Sequence, residues 1–422
     1  MEIYKGHIIF TEKPEAFTIY KNGYVVVEDG KVKFAGETLP QIYQNITLKD
    51  FGESLLIPGF VDLHFHAPQY ANLGLGLDKE LLPWLTEYTF PEEAKYADLA
   101  YAEGVYRQVA HDLWRNGTTR VVLFSTLHIA ATKLLMDLFN ESGLGAYIGK
   151  VNMDRNSPDF LIETTENSLS DTENWLKTYA NKYELVKPII SPRFVPTCTS
   201  ELMYGLGALA KEYQVPIQSH ISENKGECEW VKELHPTAKH YADIYEQHGL
   251  LTSSTIMAHC VHNTMEEIER FKENGVFSAH CPNANYNLSS GIMPVRKFMD
   301  AGVKIGLGTD VGAGHKVSIA SVMTSAMQAS KIAWLESEKA LAPLSTSEAF
   351  YLGTKGGGEF FGKVGSFEIG YDFDALVIDD TQLKITPGRS LEERLQRFIY
   401  VGDDRHITHR FVKGSELKEP KR

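Results

Sequence analysis

Short apolar runs alternate with amphipathic stretches through the middle of the chain. Each run is mostly apolar and has the length of a buried strand, and the stretches between the runs repeat apolar residues at helical spacing. Several of the predicted helices stop at a glycine, which tolerates the left-handed conformation at a helix end: Gly117, Gly143, Gly275 and Gly302. The predicted strands are 57–66, 119–126, 146–153, 188–194, 217–223, 255–262, 277–281 and 304–310, and the predicted helices include 92–115, 132–140, 201–213, 265–272 and 295–299.

This alternation predicts an α/β fold. Eight strand-like runs separated by helices indicate a (β/α)8 TIM-like barrel, in which parallel strands close into a ring surrounded by helices. An open, doubly wound parallel sheet is the alternative that periodicity alone leaves open.

Both ends of the chain have a different pattern, rich in β-branched and aromatic residues. Near the start, Asp29-Gly30 separates two such runs and predicts a β-hairpin. Similar runs return at 365–370 and 375–379. We therefore predict a barrel of residues 58–364 and a small, discontinuous β-sandwich domain built from residues 1–57 and 365–422.

Composition narrows the class of partner and the compartment. The 42 basic and 55 acidic residues give the 422-residue chain a formal charge of −13, which argues against binding to nucleic acid or an anionic membrane. The four cysteines show no C-x-x-C spacing, which favours a reducing compartment. The start lacks the apolar core of a signal peptide, and no apolar run reaches roughly 18 residues. We expect a soluble, cytoplasmic protein.

Polar residues that could carry chemistry fall at the ends of the predicted strands, where the active sites of such barrels lie. The first strand ends in His64 and His66, which share one face because side chains alternate along a strand. His220, His259 and Asp310 end the fifth, sixth and eighth strands. Taken singly, each has a structural explanation, such as a histidine bonded to a loop carbonyl or an aspartate capping a helix. Because all of them lie at the ends of predicted strands, we favour a shared active site.

Three histidines and one carboxylate form a plausible ligand set for one catalytic metal ion. We predict that His64, His66, His220 and Asp310 hold the metal, and that His259 either contacts the metal-bound water or lies just outside the ligands. Glu223, three residues after His220, is the best-placed carboxylate for general acid/base catalysis. One Zn(II) per chain is expected, although iron would fit the same ligands.

Several segments resemble the amidohydrolase superfamily, and in particular its mononuclear aminohydrolases that act on guanine. The resemblance covers nearly the whole chain. It rests on His64-Phe-His-Ala-Pro-Gln-Tyr70, Trp84-Leu-Thr-Glu-Tyr-Thr-Phe-Pro91, Ser191-Pro-Arg-Phe194, Gln218-Ser-His-Ile-Ser-Glu-Asn224, Ala279-His-Cys-Pro-Asn283 and Gly306-Leu-Gly-Thr-Asp-Val311.

The resemblance implies hydrolytic deamination of guanine to xanthine and ammonia, in purine catabolism or salvage, by a homodimer. It implies that Gln69 and Arg193 hydrogen-bond the purine edge and that Phe194 packs against the ring, with His220 and Glu223 also touching the substrate. Glu223 would move a proton to a ring nitrogen, Asp310 would accept a proton as well as bind metal, and His259 would orient the water. Arg193 suits this role because a guanidinium offers a fixed fork of donors.

Some features limit this interpretation. His262 and His280 lie near the predicted site, and we place both outside the ligand set. The fourth predicted strand has no lysine at its end, which disfavours the two-metal site of other superfamily members. Two alternatives stay open: a related aminohydrolase or chlorohydrolase acting on a pterin, cytosine, triazine or adenosine-type substrate, and a non-catalytic scaffold.

Overall fold

The computed structural model describes residues 1–383 and 387–422. Within these ranges no helix is both long enough and apolar enough to span a membrane. The strands in chain order are β1 (Glu2–Lys13), β2 (Ala16–Glu28), β3 (Lys31–Gly36), β4 (Leu48–Pro58), β5 (Phe60–His66), β6 (Thr118–Phe124), β7 (Gly145–Gly149), β8 (Val151–Asn152), β9 (Val186–Pro188), β10 (Ser191–Pro192), β11 (Ile217–Ile221), β12 (Thr255–His259), β13 (Phe277–His280), β14 (Lys304–Leu307), β15 (Ala375–Ile378), β16 (Ile407–Val412) and β17 (Ser415–Glu416).

Helices separate the barrel strands, and four of them end at the glycines named above, each with a positive φ. The helices in chain order are α1 (Leu81–Trp84), α2 (Phe90–Glu93), α3 (Leu99–Arg115), α4 (Ile129–Ser142), α5 (Thr165–Tyr179), α6 (Ser200–Tyr213), α7 (Lys225–Leu234), α8 (Tyr241–Gln247), α9 (Met265–Asn274), α10 (Pro282–Asn287), α11 (Val295–Ala301), α12 (Ile319–Glu336), α13 (Thr346–Tyr351) and α14 (Leu391–Val401).

Eight parallel strands close into a barrel. One half consists of β5, β6, β7 and β9, and the other of β11, β12, β13 and β14. A backbone bridge between Ile190 and Ile217 joins the halves on one side. On the other side, the Asp310 N–H donates to the His64 carbonyl (2.8 Å) and the His66 N–H donates to the Val311 carbonyl (2.9 Å). The closed ring confirms the predicted barrel and excludes the open sheet.

Alternate residues of each barrel strand pack on opposite sides. On β6, Val122 and Phe124 belong to the buried cluster that fills the barrel, whereas Val121 and Leu123 pack with the surrounding helices. Both sides of the strand are thus removed from water, which explains why the strands read as continuous apolar runs. Polar side chains that could take part in catalysis therefore lie at the ends of the strands.

The two termini build one sheet of seven strands in the order β17-β16-β15-β4-β1-β2-β3. The predicted hairpin joins β2 to β3, and both Asp29 and Gly30 have the positive φ that such a turn requires. The sheet continues directly into the barrel, since only Gly59 separates the end of β4 from the start of β5. Division into domains at residues 57/58 and 364/365 stays a prediction.

Several predicted strands have ends shifted by a few residues, and two predicted elements differ more from the structure. The helix predicted over 92–115 begins instead at Leu99, because the Asp98 side chain accepts hydrogen bonds from the N–H groups of Ala100 and Tyr101 and caps a new helix. The fourth barrel strand is Val186–Pro188 rather than 188–194. Pro188 and Pro192 lack an N–H group, so a regular ladder cannot run through this segment.

A buried ion pair fastens the barrel to the terminal sheet. Arg120 on β6 donates to both carboxylate oxygens of Asp374, at 2.6 and 3.1 Å, and Asp374 is completely buried. We expect Arg120→Met to lower the free energy of unfolding by about 3–5 kcal/mol, because it leaves a buried carboxylate without its cation. Urea denaturation followed by fluorescence measures this change.

The matched control is Lys177→Met, which removes an exposed pair with Glu173 on α5. That variant should lose no more than about 0.5 kcal/mol. Equal effects of the two substitutions would contradict the role given to Arg120.

Candidate active site

Five polar side chains converge at the C-terminal edge of the barrel. His64 and His66 belong to β5, His220 to β11 and His259 to β12, and Asp310 follows β14. The Nε2 atoms of His64 and His66 lie 3.2 and 3.4 Å from Asp310 Oδ1. His259 Nε2 lies 3.8 Å from Asp310 Oδ2. The structure therefore brings together the strand-end residues that the sequence singled out.

Four of these residues fit a metal ion. His220 Nδ1 lies 2.6 Å from the Arg193 carbonyl, which can only accept, so Nδ1 donates and Nε2 carries a lone pair. That Nε2 faces the Nε2 of His66 at 3.1 Å. Among the described residues, neither ring nitrogen of His64 has a hydrogen bond of acceptable geometry, although Asp310 is close. A cation among these atoms would satisfy the buried lone pairs.

The protonation states agree with such a site. Burial lowers the pKa of His64, His66 and His220, which favours the neutral imidazoles that bind metal. Burial alone would raise the pKa of Asp310, but the neighbouring His64 and His259 outweigh it and hold this pKa at about 2. Three neutral imidazoles and one ionised carboxylate are a ligand set suited to zinc or iron.

Glu223 lies beside this cluster with its carboxyl group buried. Its Oε2 is 3.4 Å from His259 Nε2, and its Oε1 accepts a hydrogen bond from the Ser290 hydroxyl at 3.1 Å. Burial raises the pKa of Glu223 to about 7. A carboxyl group with a pKa near neutrality can both accept and donate a proton, which is what general acid/base catalysis requires.

His259 is held in one orientation. Its Nδ1 lies 3.0 Å from Asn285 Oδ1, an acceptor, so Nδ1 carries a proton and Nε2 faces Glu223 and Asp310. His259 and Asp310 both have positive φ, at 75° and 49°. Non-glycine residues seldom adopt this conformation, which here sets the direction of two side chains that line the cavity.

A second group of polar side chains faces the same cavity. Gln69 lies in the turn after β5, and Arg193 and Phe194 follow β10. The cavity also includes His66, His220, Glu223, His259 and Asp310 in its wall, and is completed by Leu81, Trp84, Leu85, Leu288 and Ala313. The residues that could hold a metal, His64, His66, His220 and Asp310, form a metal-type cluster. A flat molecule with a polar edge would lie between this cluster and the polar side chains of Gln69 and Arg193, the Gln69–Arg193 edge of the cavity.

The two additional histidines lie outside the metal-type cluster. His262 Nε2 donates to the Ser290 carbonyl at 2.8 Å and so supports the segment that bonds Glu223. His280 ends β13 and is buried, and it is absent from the cavity wall among the described residues. Burial lowers the pKa of His280 to about 3.

Sequence reasoning missed Asp62. It is completely buried, and its Oδ1 accepts hydrogen bonds from the N–H groups of His64 (3.2 Å) and Thr309 (3.0 Å). Its Oδ2 accepts from the Thr309 hydroxyl at 2.6 Å. Asp62 thereby ties together the ends of the first and last barrel strands. Its position two residues before His64, on the same face of the strand, could have indicated that Asp62 lies close to the site.

Two glutamates were also missed. Glu227 accepts hydrogen bonds from the N–H groups of Glu223 (2.8 Å) and Asn224 (3.1 Å), and so fixes the start of α7 beside the site. Glu93 contacts both Gln69 and Arg193. An Asn-x-x-Glu capping pattern pointed to Glu227, whereas nothing in the sequence pointed to the partners of Glu93.

Comparisons with known proteins agree with this geometry. The chain is 40% identical to a guanine deaminase of Dictyostelium discoideum, over 99% of this chain and 98% of that protein. It is 35% identical to a guanine deaminase of Escherichia coli strain K12, over 97% and 94%. A crystal structure of guanine deaminase from C. acetobutylicum with bound guanine in the active site has a TM-score of 0.97 and 52% identity, covering 99% of this chain and 100% of that one.

The Amidohydrolase family matches residues 55–417, which is most of the chain. Together with the relatives above, this match confirms the resemblance seen in the strand-end motifs. The chain belongs to the amidohydrolase family.

Proposed function

We propose that this chain is a metal-dependent aminohydrolase that converts guanine and water to xanthine and ammonia. The observation that carries the proposal is the position of Glu223, which lies in one cavity with both the His/Asp cluster and the Gln69–Arg193 edge. Full-length similarity to guanine deaminases supports guanine as the substrate. In the reaction the bond from C2 to its amino group breaks and a C2–O bond forms.

His64, His66, His220 and Asp310 would hold the metal, which we propose is one zinc ion, with iron as the alternative. When bound, the metal lowers the pKa of a coordinated water so that it becomes a nucleophile near neutral pH. Hydrogen bonds that orient the proposed ligands are already present. The Arg193 carbonyl accepts from the His220 ring, and the Asp62 carboxylate accepts from the backbone N–H of His64.

The protein's own residues move the protons. Glu223 accepts a proton from the attacking water and delivers it to the ring nitrogen next to the reacting carbon. Asp310 accepts the second proton and passes it to the departing amine. His259, held by Asn285, orients the water toward the substrate. Because these groups are buried together, proton transfer occurs over short distances and away from bulk solvent.

The remaining wall of the cavity binds the base. Arg193 and Gln69 hydrogen-bond the purine edge, and Phe194 packs against the ring. Leu81, Trp84 and Leu85 cover the cavity with apolar surface, and the Trp84 indole is fixed by donating to the Leu75 carbonyl at 3.0 Å. An apolar cover with few polar contacts is typical of sites for small aromatic ligands.

The alternatives differ in substrate or in class. A pterin, cytosine, triazine or adenosine-type substrate would use the same metal and Glu223, but the relatives that match over full length are named guanine deaminases. A non-catalytic scaffold is disfavoured because it has no need to bury His64, Glu223 and Asp310 together, at a large cost in desolvation.

We also propose that the protein is cytoplasmic and works as a homodimer. Two helices that touch carry exposed apolar side chains: Ile332 and Leu335 on α12, and Tyr400 and Val401 on α14. The contact between these helices includes a hydrogen bond from the Thr324 hydroxyl to the Ile399 carbonyl at 3.2 Å. We propose that these side chains form one apolar patch, which would favour self-association.

Metal removal tests the central claim. Protein loaded with zinc should consume guanine and release an equal amount of ammonia, measured by ultraviolet absorbance and an ammonia assay. Treatment with a chelator should abolish turnover, because the attacking water is then no longer activated. Added zinc should restore it. Metal-loaded protein that leaves guanine unchanged would overturn the proposed substrate.

Glu223→Gln tests the proton shuttle. The amide keeps the size of the side chain but cannot accept a proton, so kcat should fall by about 10²–10⁴-fold while metal content is unchanged. The control is Glu233→Gln, an exposed residue of α7, which should retain normal turnover. Near-normal activity of Glu223→Gln with full metal would remove this residue from the mechanism.

Leu335→Glu tests the dimer. Sedimentation should give a dimer for the unchanged protein and a monomer for the variant, because the substitution places a charge in the apolar patch. Phe160→Glu, at an exposed position remote in sequence from the patch, serves as the control and should stay dimeric. A monomeric unchanged protein would contradict the proposal.

A further inference from the structure

One carboxylate, that of Glu93, binds both Gln69 and Arg193, the two residues of the proposed base-reading edge. Glu93 Oε1 accepts a hydrogen bond from Gln69 Nε2 at 3.1 Å and another from an Arg193 terminal nitrogen at 3.1 Å. Glu93 Oε2 accepts from the other terminal nitrogen of Arg193 at 2.7 Å. Glu93 does not itself line the cavity among the described residues. It lies behind the two side chains that do.

The environment leaves this arrangement little freedom. Glu93 is 1% exposed and the Arg193 side chain 4%, so the pair is shielded from water. The face of the Arg193 guanidinium packs over the Phe90 ring, 5.1 Å from its centroid. The Arg193 backbone is also fixed, since its carbonyl accepts from His220 and its N–H donates to the Asn152 carbonyl. Arg193 therefore has one orientation relative to the metal-type cluster.

Glu93 also decides which way the Gln69 amide points. An ionised carboxylate only accepts hydrogen bonds, so the amino end of Gln69 must face Glu93. The carbonyl end then faces the Gly312 N–H, at 3.4 Å. Because Gln69 Nε2 and one Arg193 nitrogen bond the same oxygen of Glu93, the two nitrogens are neighbours. Both side chains line the cavity, so a base bound there would meet a row of N–H donors.

We propose that Glu93 is a positioning residue that selects 6-oxopurines over 6-aminopurines, an inference that rests on the proposed function. Guanine presents two adjacent acceptors on one edge, O6 and N7, which match a row of donors. A 6-aminopurine presents N–H groups where O6 would be, and these meet the donors of Arg193 and Gln69 unpaired. Glu93 strengthens this discrimination because it prevents the Gln69 amide from flipping, which would present its carbonyl group to the base.

The test compares guanine with 2,6-diaminopurine, which carries the same 2-amino group and differs at position 6. Glu93→Gln replaces an acceptor by a group that also donates, so Gln69 no longer has one preferred orientation. The preference for guanine over 2,6-diaminopurine, as a ratio of kcat/KM values or of inhibition constants against guanine, should fall by about tenfold or more. KM for guanine should rise more than kcat falls, and metal content should be unchanged.

Glu92→Gln is the matched control. Glu92 is the neighbouring residue on α2 and is also buried, but it bonds Lys95 and Tyr101 and touches neither Gln69 nor Arg193. It should keep the preference of the unchanged protein. Glu93→Asp serves if Glu93→Gln does not fold, because it retains the charge while shortening the reach to both partners, and it should also lower the preference.

The outcomes separate the two proposals. Unchanged protein that leaves guanine intact would overturn the proposed function. Guanine turnover together with a preference that stays within twofold of the Glu92→Gln value, in whichever Glu93 variant folds, would overturn the role of Glu93 alone. A loss of activity that is equal for both bases would do the same, since it would show a purely structural contribution.

Discussion

Closure of the barrel between its first and last strands is the constraint on which the site depends. The Asp310 N–H donates to the His64 carbonyl, and Asp62 bonds the backbone of both His64 and Thr309. The contact is close: a Cβ at Gly308 would lie 2.8 Å from the Cβ of His64. Glycine in the Gly-x-Gly-Thr-Asp motif is thus required by packing against β5. The proposed metal ligands, which are distant in sequence, become neighbours because the ring closes here.

Arg193 connects the metal-type cluster to the base-reading edge. Its carbonyl fixes the tautomer of His220, and its guanidinium is held by Glu93 beside Gln69. A shift of this one residue would displace a proposed metal ligand and a proposed substrate contact together. Effects of mutations at Arg193 and Glu93 should therefore not be additive, since the two share partners within one hydrogen-bonded network.

The sequence allowed most of the barrel and the polar residues at its strand ends to be predicted, because both follow from short-range regularities. Alternation along a strand placed His64 and His66 on one face. Because active sites of such barrels lie at the C-terminal ends of the strands, His220 and Asp310 were expected beside them. Glu93 could not be found this way. Its partners lie 24 and 100 residues away, and only the tertiary fold brings them together. The cap at Asp98 was a local signal that competed with helical periodicity and prevailed.

Two carboxyl groups in one cavity have opposite protonation behaviour, and their surroundings explain why. Asp310 lies within 4 Å of three imidazoles, and its pKa is held at about 2 despite burial. Among the imidazoles of the described residues, His259 alone lies at a similar distance from Glu223, and burial raises the pKa of Glu223 to about 7. In the resting protein Asp310 is therefore ionised, as its proposed roles of metal ligand and proton acceptor require, while Glu223 can exchange a proton near neutral pH. Burial with or without several neighbouring imidazoles thus gives two carboxyl groups of one cavity different resting protonation states.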